Sequence, residues 1–185
     1  MSRNRWMMLL AAVPLLAGAA ACSEDGTTPK VEEETLFLSV APAGGATDVD
    51  PNGLVEVRFD HPMMSGMEAF AVLHLVDVTG PAVDGTWSFS PDRTVLAFAP
   101  DVPLEPSTGY TIHLGGGMMD DEGRAVDWET HGPGMGGEWA TDTMMSSGTG
   151  RGMGMGGALG TDHMSAGWQH ENGSFGMVFS FDTAG

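Results

Sequence analysis

The stretch GTGRGMGMGGALGTDHM, residues 148–164, sets Met153 and Met155 among glycines and ends on the pair His163 and Met164. Thioether sulfur is a soft donor that selects Cu(I), and by the same softness Ag(I), whereas imidazole suits Cu(II) or zinc. Groupings of the type M-x-M, M-M and H-M in flexible chain let two or three donors converge on one ion, because glycine lets the backbone bend. The same residue types recur nearby in HPMMSGM (His61, Met63, Met64, Met67) and in GGGMMDDEG (Met118, Met119). His131, Met135, Met144, Met145 and His170 complete the candidate ligand set. Met63 and Met177 also have structural reasons to be where they are. His74 and His113 lie inside strand-like runs and are read as ordinary strand residues, since sheet faces carry histidine without any metal. Three other readings of the methionines stay open. They pack a loose lobe around Trp139 and Trp168, they absorb oxidants, or they reflect compositional drift in a glycine-rich loop.

The elements that must position these residues are short and alternate with period two. LFLSV places Leu36, Leu38 and Val40 on one face, and LVEVRF sets Val55, Val57 and Phe59 against Glu56 and Arg58. FAVLHLVDV, GTWSFS, TVLAFAP, GYTIHL and GMVFSFDT continue the habit between Pro, Gly, Asp and Asn turns. This pattern predicts an all-β fold, an immunoglobulin-like antiparallel β-sandwich of about seven strands. Between Trp128 and Phe175 no convincing strand is found, and a stretch that long implies a functional or irregular insertion before the last strand. In such a sandwich the loops after the second and sixth strands emerge at one end. The topology therefore predicts that HPMMSGM, GGGMMDDEG and the insertion share one pole.

The chain of 185 residues carries a formal charge of −18. Residues 1–21 read as an export leader: Arg3 and Arg5, then an apolar run from Trp6 to Ala21 ending in small residues. LLAGAAAC resembles a bacterial lipobox, which makes Cys22, the single cysteine, the expected lipidation site and the membrane anchor. Losing Arg3 and Arg5 takes the charge to about −20, so nucleic acid is excluded as a partner and cations are favoured. One cysteine allows no internal disulfide. Residues 22–34 are polar and acidic and read as a disordered tether. The expected organisation is a sandwich over 35–128 plus 175–185, with an insertion over 129–174. Ser23 after the cysteine favours the outer membrane, on its periplasmic or its surface side.

Two acidic runs suggest hard cations and are read otherwise. DVDPNG, Asp48 to Gly53, begins like a calcium loop but has Phe59 where a bidentate Glu is required, so it is read as a β-turn. Asp120, Asp121 and Glu122 are read as a solvated turn. No catalytic signature is present: no nucleophile elbow, H-E-x-x-H, phosphate loop or dinucleotide fingerprint. The chain is therefore expected not to be an enzyme.

APAGGATDVDPNG, the run VRFDHPM (Phe59, Pro62, Met63), the set Leu104, Pro106, Thr108 and Tyr110, the turn at Asp120, Asp121 and Gly123, and the closing Phe179, Phe181 and Thr183 together resemble the SbsA-type bacterial Ig-like domains of envelope proteins. The resemblance covers Leu36 to Asp127 and Met177 to Thr183. It implies a non-catalytic envelope module used as a spacer or binding unit. Met64 and the insertion depart from the family pattern. The opening half also distantly resembles the periplasmic copper-binding CopC-like sandwiches. It lacks their N-terminal histidine, whose place Cys22 takes, and their Asp-Gly-His motif. The functional expectation is an envelope lipoprotein whose Met/His-rich pole binds Cu(I), Cu(II) or another soft metal. The alternative is a structural or adhesive Ig-like surface module with no metal role. An envelope protein is a further expected partner.

Overall fold

A computed structural model describes residues 34–146, 163 and 165–185. The expected leader, Cys22 and the tether up to residue 33 lie outside the described residues, as do Met153, Met155 and Met164; of Met145 only its backbone is described. Among the described residues, ten strands form two sheets. They are β1 (Thr35–Ala41), β2 (Ala46–Val49), β3 (Val55–Phe59), β4 (Ala71–Leu75), β5 (Gly85–Phe89), β6 (Val95–Pro100), β7 (Gly109–Leu114), β8 (Val126–Asp127), β9 (Glu138–Trp139) and β10 (Met177–Thr183). One sheet has the order β5-β6-β3-β1-β8. The other has the order β2-β10-β7-β4, and β9 also pairs with β10. All seven strands expected from the period-two runs are present. The three additional ones are too short to leave a periodic signature. Pairing is antiparallel except for β1 with β8 and β2 with β10.

The inner faces of both sheets supply one core. Phe37, Val55, Val57, Phe59, Leu73, Leu96, Ile112, Leu114, Phe179 and Phe181 all lie within it. At its centre the Phe37 ring stands 5.2 Å from Trp128 and 5.3 Å from Phe179. Each such side chain contributes roughly 1.5–3 kcal/mol by leaving water. The β1 expectation needs correction. Leu36 and Leu38 face outward, while Phe37 and Val40 face the core. A β-bulge between Phe37 and Ser39 shifts the register against β3. An extra residue there lets Phe37 and Val40 share a face although three positions separate them.

The segment after β8 is more ordered than the sequence suggested. Helical turns α1 (Trp128–His131) and α2 (Asp142–Ser146) flank β9. Asp127 caps α1 by accepting from the Thr130 N–H at 2.8 Å. The returning chain, residues 165–176, folds over the outer face of the second sheet. There Ala140, Phe175 and Val178 form a small second core. As a result β7 is buried on both faces: Thr111 and His113 are as covered as Tyr110, Ile112 and Leu114. Among the described residues no helix is long and apolar enough to cross a membrane.

Candidate metal centre

Outward-facing positions on adjacent strands line up where the returning chain crosses them. In the β4–β7 ladder, Val72 pairs with His113 and His74 pairs with Thr111. His74 and His113 therefore occupy a diagonal on the same face, with ring centroids 5.9 Å apart. His163 enters from the insertion, its ring centroid 5.1 Å from His74 and 5.0 Å from His113, nearly perpendicular to both. Each of the three rings offers a nitrogen within 4.8 Å of the other two. Among the described residues this is the one convergence of three His, Cys, Asp or Glu side chains. Ligands about 2.0–2.1 Å from a shared ion lie closer together than this, so the rings would have to turn inward to share one.

The hydrogen bonds of the two strand histidines define their tautomers. His74 Nδ1 lies 3.0 Å from the Gly80 carbonyl, and His113 Nε2 lies 2.7 Å from the Phe175 carbonyl. A carbonyl only accepts, so each of these nitrogens carries the proton. The lone pair is then on His74 Nε2 and on His113 Nδ1. Both are buried, with no hydrogen-bond partner among the described residues. Backbone carbonyls fix metal-binding imidazoles in the same way. Burial lowers the pKa of His74, against opposing contributions from the Gly80 carbonyl and Asp77. Burial, with help from the neighbouring His163 and His74, lowers that of His113 to about 3. Both imidazoles are therefore neutral and ligand-competent at ordinary pH.

Trp168 closes the site. It is 2% exposed, its ring is 4.6 Å from His113 and 4.4 Å from His163, and its far side meets Phe70 edge-on at 6.0 Å. Gly167 allows this approach, because a Cβ there would collide with the Phe70 ring.

The sequence missed His74 and His113 as a pair because each was judged alone on its own strand. A signal was available: β4 carries Val72 and β10 carries Val178 on the outward parity. Strands that are apolar on both parities are covered on both faces, and a histidine on the covered face is then buried.

Two of the methionine groups, HPMMSGM and GGGMMDDEG, lie side by side. The Met64 N–H donates to the Met119 carbonyl at 3.0 Å, Met63 bridges Asp120, and the Met119 N–H meets Met67 Sδ at 3.4 Å. Met63 and Met118 are wholly buried within the core. Met64, Met67 and Met119 remain at the rim, Met119 40% exposed. Met135 packs against the main core, and Met144 lines a groove of about 370 Å³ with Asp77, Thr111 and Glu138.

The remaining candidate histidines stand apart from the trio. His61 Nδ1 is 2.7 Å from Asp60, His131 Nδ1 is 3.0 Å from Asp127, and the His170 ring lies tilted against Trp139, centroids 4.7 Å apart.

The two acidic runs differ in outcome. DVDPNG is a turn, with the Asn52 N–H donating to the Asp50 carboxylate at 2.9 Å. The expected solvated turn at Asp120 needs correction. Asp120 is fully buried, accepting from Thr35 Oγ1 at 2.7 Å, from the N–H groups of Glu122 and Arg124, and from Arg124 Nε at 2.6 Å. Its four donors are all protein groups, so it is a structural tie between β1 and the β7–β8 turn.

Several solved structures are similar to parts of the chain. The surface-layer protein SbsC, domains 1–6, aligns at 15% identity over 51% of this chain and 12% of its own, with a TM-score of 0.37. The chain thus spans about an eighth of that protein's length. An L,D-transpeptidase from Mycobacterium smegmatis aligns at 23% identity over 46% of this chain and 38% of its own, TM-score 0.35. CopC from Methylosinus trichosporium OB3b aligns at 16% identity over 51% of this chain and 94% of its own, TM-score 0.37. No curated protein matches the chain. The model of the bacterial Ig-like domain matches residues 25–131, which include His74 and His113 but not His163. With more than half its length matched, the chain belongs to the bacterial Ig-like domain family.

Proposed function

We propose that this protein is a non-enzymatic, lipid-anchored envelope module that binds copper or another soft metal. The carrying observation is the convergence of His74, His113 and His163, two of them neutral and holding buried lone pairs. The rim thioethers Met64, Met67 and Met119 form a softer donor group at the neighbouring pole. The anchor at Cys22, the outer-membrane location and the ligand roles of Met153, Met155 and Met164 belong to this reading on the strength of the sequence alone. An envelope protein to receive or deliver the ion fits the same reading.

The test is equilibrium dialysis of the mature protein with copper, alongside His74→Gln and His113→Gln variants whose fold is checked by circular dichroism. One equivalent is expected to be lost, with affinity falling by at least about 10-fold. Unchanged copper binding in both variants overturns the reading.

The alternative, a structural or adhesive module with no metal role, draws on one observation. Met63 and Met118 are packed inside the core, and the insertion covers a sheet face through Trp168 and Phe175. It predicts the same copper uptake in the variants as in the parent.

A further inference from the structure

Resting on the reading of the trio as a metal site, we infer that it takes a divalent ion of the imidazole-preferring class, Zn(II) or Cu(II), and that taking the ion fastens the returning chain, residues 165–176, to the outer face of the second sheet. The ion class follows from the donors. The side chains that converge are imidazoles, and imidazole suits zinc and Cu(II). The two strand histidines present different nitrogens, Nε2 from His74 and Nδ1 from His113, because the Gly80 and Phe175 carbonyls hold the protons on the others. Coordination displaces a proton from an imidazole that carries one, so His163 can join whatever its state beforehand. The strongly acidic chain, at −18, attracts a dication more than a monocation.

The fastening follows from where the ligands come from. His74 lies on β4 and His113 on β7, within the sheet, whereas His163 immediately precedes the returning chain. That chain is seated chiefly at its two buried rings, Trp168 and Phe175. Beside the first, the Gly116 N–H donates to the Trp168 carbonyl at 2.9 Å; beside the second, the Phe175 N–H donates to the Ala140 carbonyl at 2.8 Å. Between them Glu171, Asn172 and Gly173 are exposed, and the His170 N–H bonds within the segment, to the Ser174 carbonyl at 2.9 Å. A stretch held in this way opens locally at lower free energy than the strands beneath it. An ion shared by His163 and the two strand histidines adds a bond across that boundary.

Ion and seating depend on each other. The Phe175 carbonyl, 2.7 Å from His113 Nε2, is what leaves the lone pair on His113 Nδ1. When the chain lifts, that carbonyl goes with it, and so does Trp168, whose ring shields those of His113 and His163 at 4.6 and 4.4 Å. The seated state therefore binds the ion better than the lifted one, and a ligand with such a preference shifts the balance toward the state it prefers. Free ion at about 100 times its dissociation constant suppresses lifting by about 100-fold.

The experiment uses the full mature chain with Zn(II) and Cu(II), and with Ag(I) as a soft monovalent control. Imidazole nitrogen NMR signals read the ligands, and amide hydrogen exchange reads the seating. Zinc is expected to move the Nε2 signal of His74 and the Nδ1 signal of His113 at a free concentration at least about 10-fold lower than silver requires. With zinc at about 100 times its dissociation constant, exchange of the Trp168, His170 and Phe175 amides is expected to slow by about 100-fold. That of Gly53, in the turn before β3, should stay unchanged. His163→Gln is expected to weaken zinc by at least about 10-fold and to remove most of the slowing, while the His74 and His113 signals still move. Silver binding these imidazoles as tightly as zinc overturns the ion class while the metal site stands. Imidazole shifts without slower exchange in the returning chain, or with equal slowing at Gly53, overturn the fastening while the metal site stands. No imidazole shift with zinc, together with no broadening of these signals by paramagnetic Cu(II), overturns the inference and the metal site together.

Discussion

His74 and His113 occupy one diagonal of the β4–β7 ladder, 5.9 Å between ring centroids, and each gives one ring nitrogen to a backbone carbonyl. Two neutral imidazoles are thus buried side by side, which makes the metal-free protein sensitive to acid. The folded pKa values lie below the ordinary histidine value of 6.5, for His113 at about 3. Below 6.5 the unfolded chain takes up protons that the folded chain refuses. Stability is therefore full above about pH 6.5 and falls as pH drops, for His113 until about pH 3, by up to about 1.4 kcal/mol per unit for each histidine still neutral in the fold. Urea midpoints of the metal-free protein at pH 7 and pH 5 check this. His113→Gln is expected to flatten the slope.

Asp120 gives a second, lower acid window. Burial alone raises its pKa, but the Thr35 hydroxyl, the Arg124 N–H and guanidinium and the Glu122 N–H together hold it at about 2. A depressed carboxylate stabilises the fold above its unfolded pKa of about 4, and that contribution, about 2 kcal/mol, is lost as pH falls through about 2. Asp120→Asn removes the charge while keeping the shape, and leaves the Arg124 guanidinium facing a neutral amide. The expected loss at pH 7 is about 2–4 kcal/mol by chemical denaturation. The variant's stability should then fall less steeply than the parent's between pH 4 and pH 2, where Asp127 and Asp77 still titrate.

The bulge in β1 assigns opposite fates to adjacent residues. Phe37 is fully buried against Trp128 and Phe179, while Leu38 is 47% exposed. Phe37→Ala is expected to cost about 3–5 kcal/mol, and Leu38→Ala less than about 0.5 kcal/mol. Thermal melts of the pair decide the register. Similar losses in both would mean that the bulge is misplaced.

Gly167→Ala tests how the returning chain is seated. Its Cβ would meet the Phe70 ring, so the segment carrying Trp168 must lift off the sheet. A red-shifted tryptophan emission and faster hydrogen exchange at Trp168 are expected. The melting temperature of the sandwich should change little, because Phe70 is peripheral to the main core.

The sandwich was legible because alternation leaves a record wherever one face is wet. Val55, Val57 and Phe59 alternate with Glu56 and Arg58, and β3 lies as that pattern requires. β1 was misread where alternation is interrupted: nothing in LFLSV marks the bulge, since apolar residues fill both parities. The meeting of Met64, Met67 and Met119 was legible from topology, because loop positions in a sandwich follow from strand order. The histidine trio was not. It depends on what covers the sheet, and the covering residues Trp168 and Phe175 lie in a segment with no period to read. The burial of Asp120 was hidden for a related reason. Its partner Thr35 is 85 residues away, and a run of acids looks the same whether water or Arg124 surrounds it.

The place of β10 has a consequence for when the site can exist. This strand is the last of the ten in chain order, yet it lies between β7 on one side and β2 and β9 on the other. The carbonyl that orients His113 belongs to Phe175, two residues before it. While residues 1–170 are being made, β7 has no neighbour on that side and the His113 imidazole has no fixed tautomer. Because synthesis delivers the N-terminal part first, the proposed metal capture would belong to the chain only after residues 177–183 had joined the sheet. A nascent or C-terminally clipped chain would carry the same histidines without the Phe175 carbonyl that orients His113.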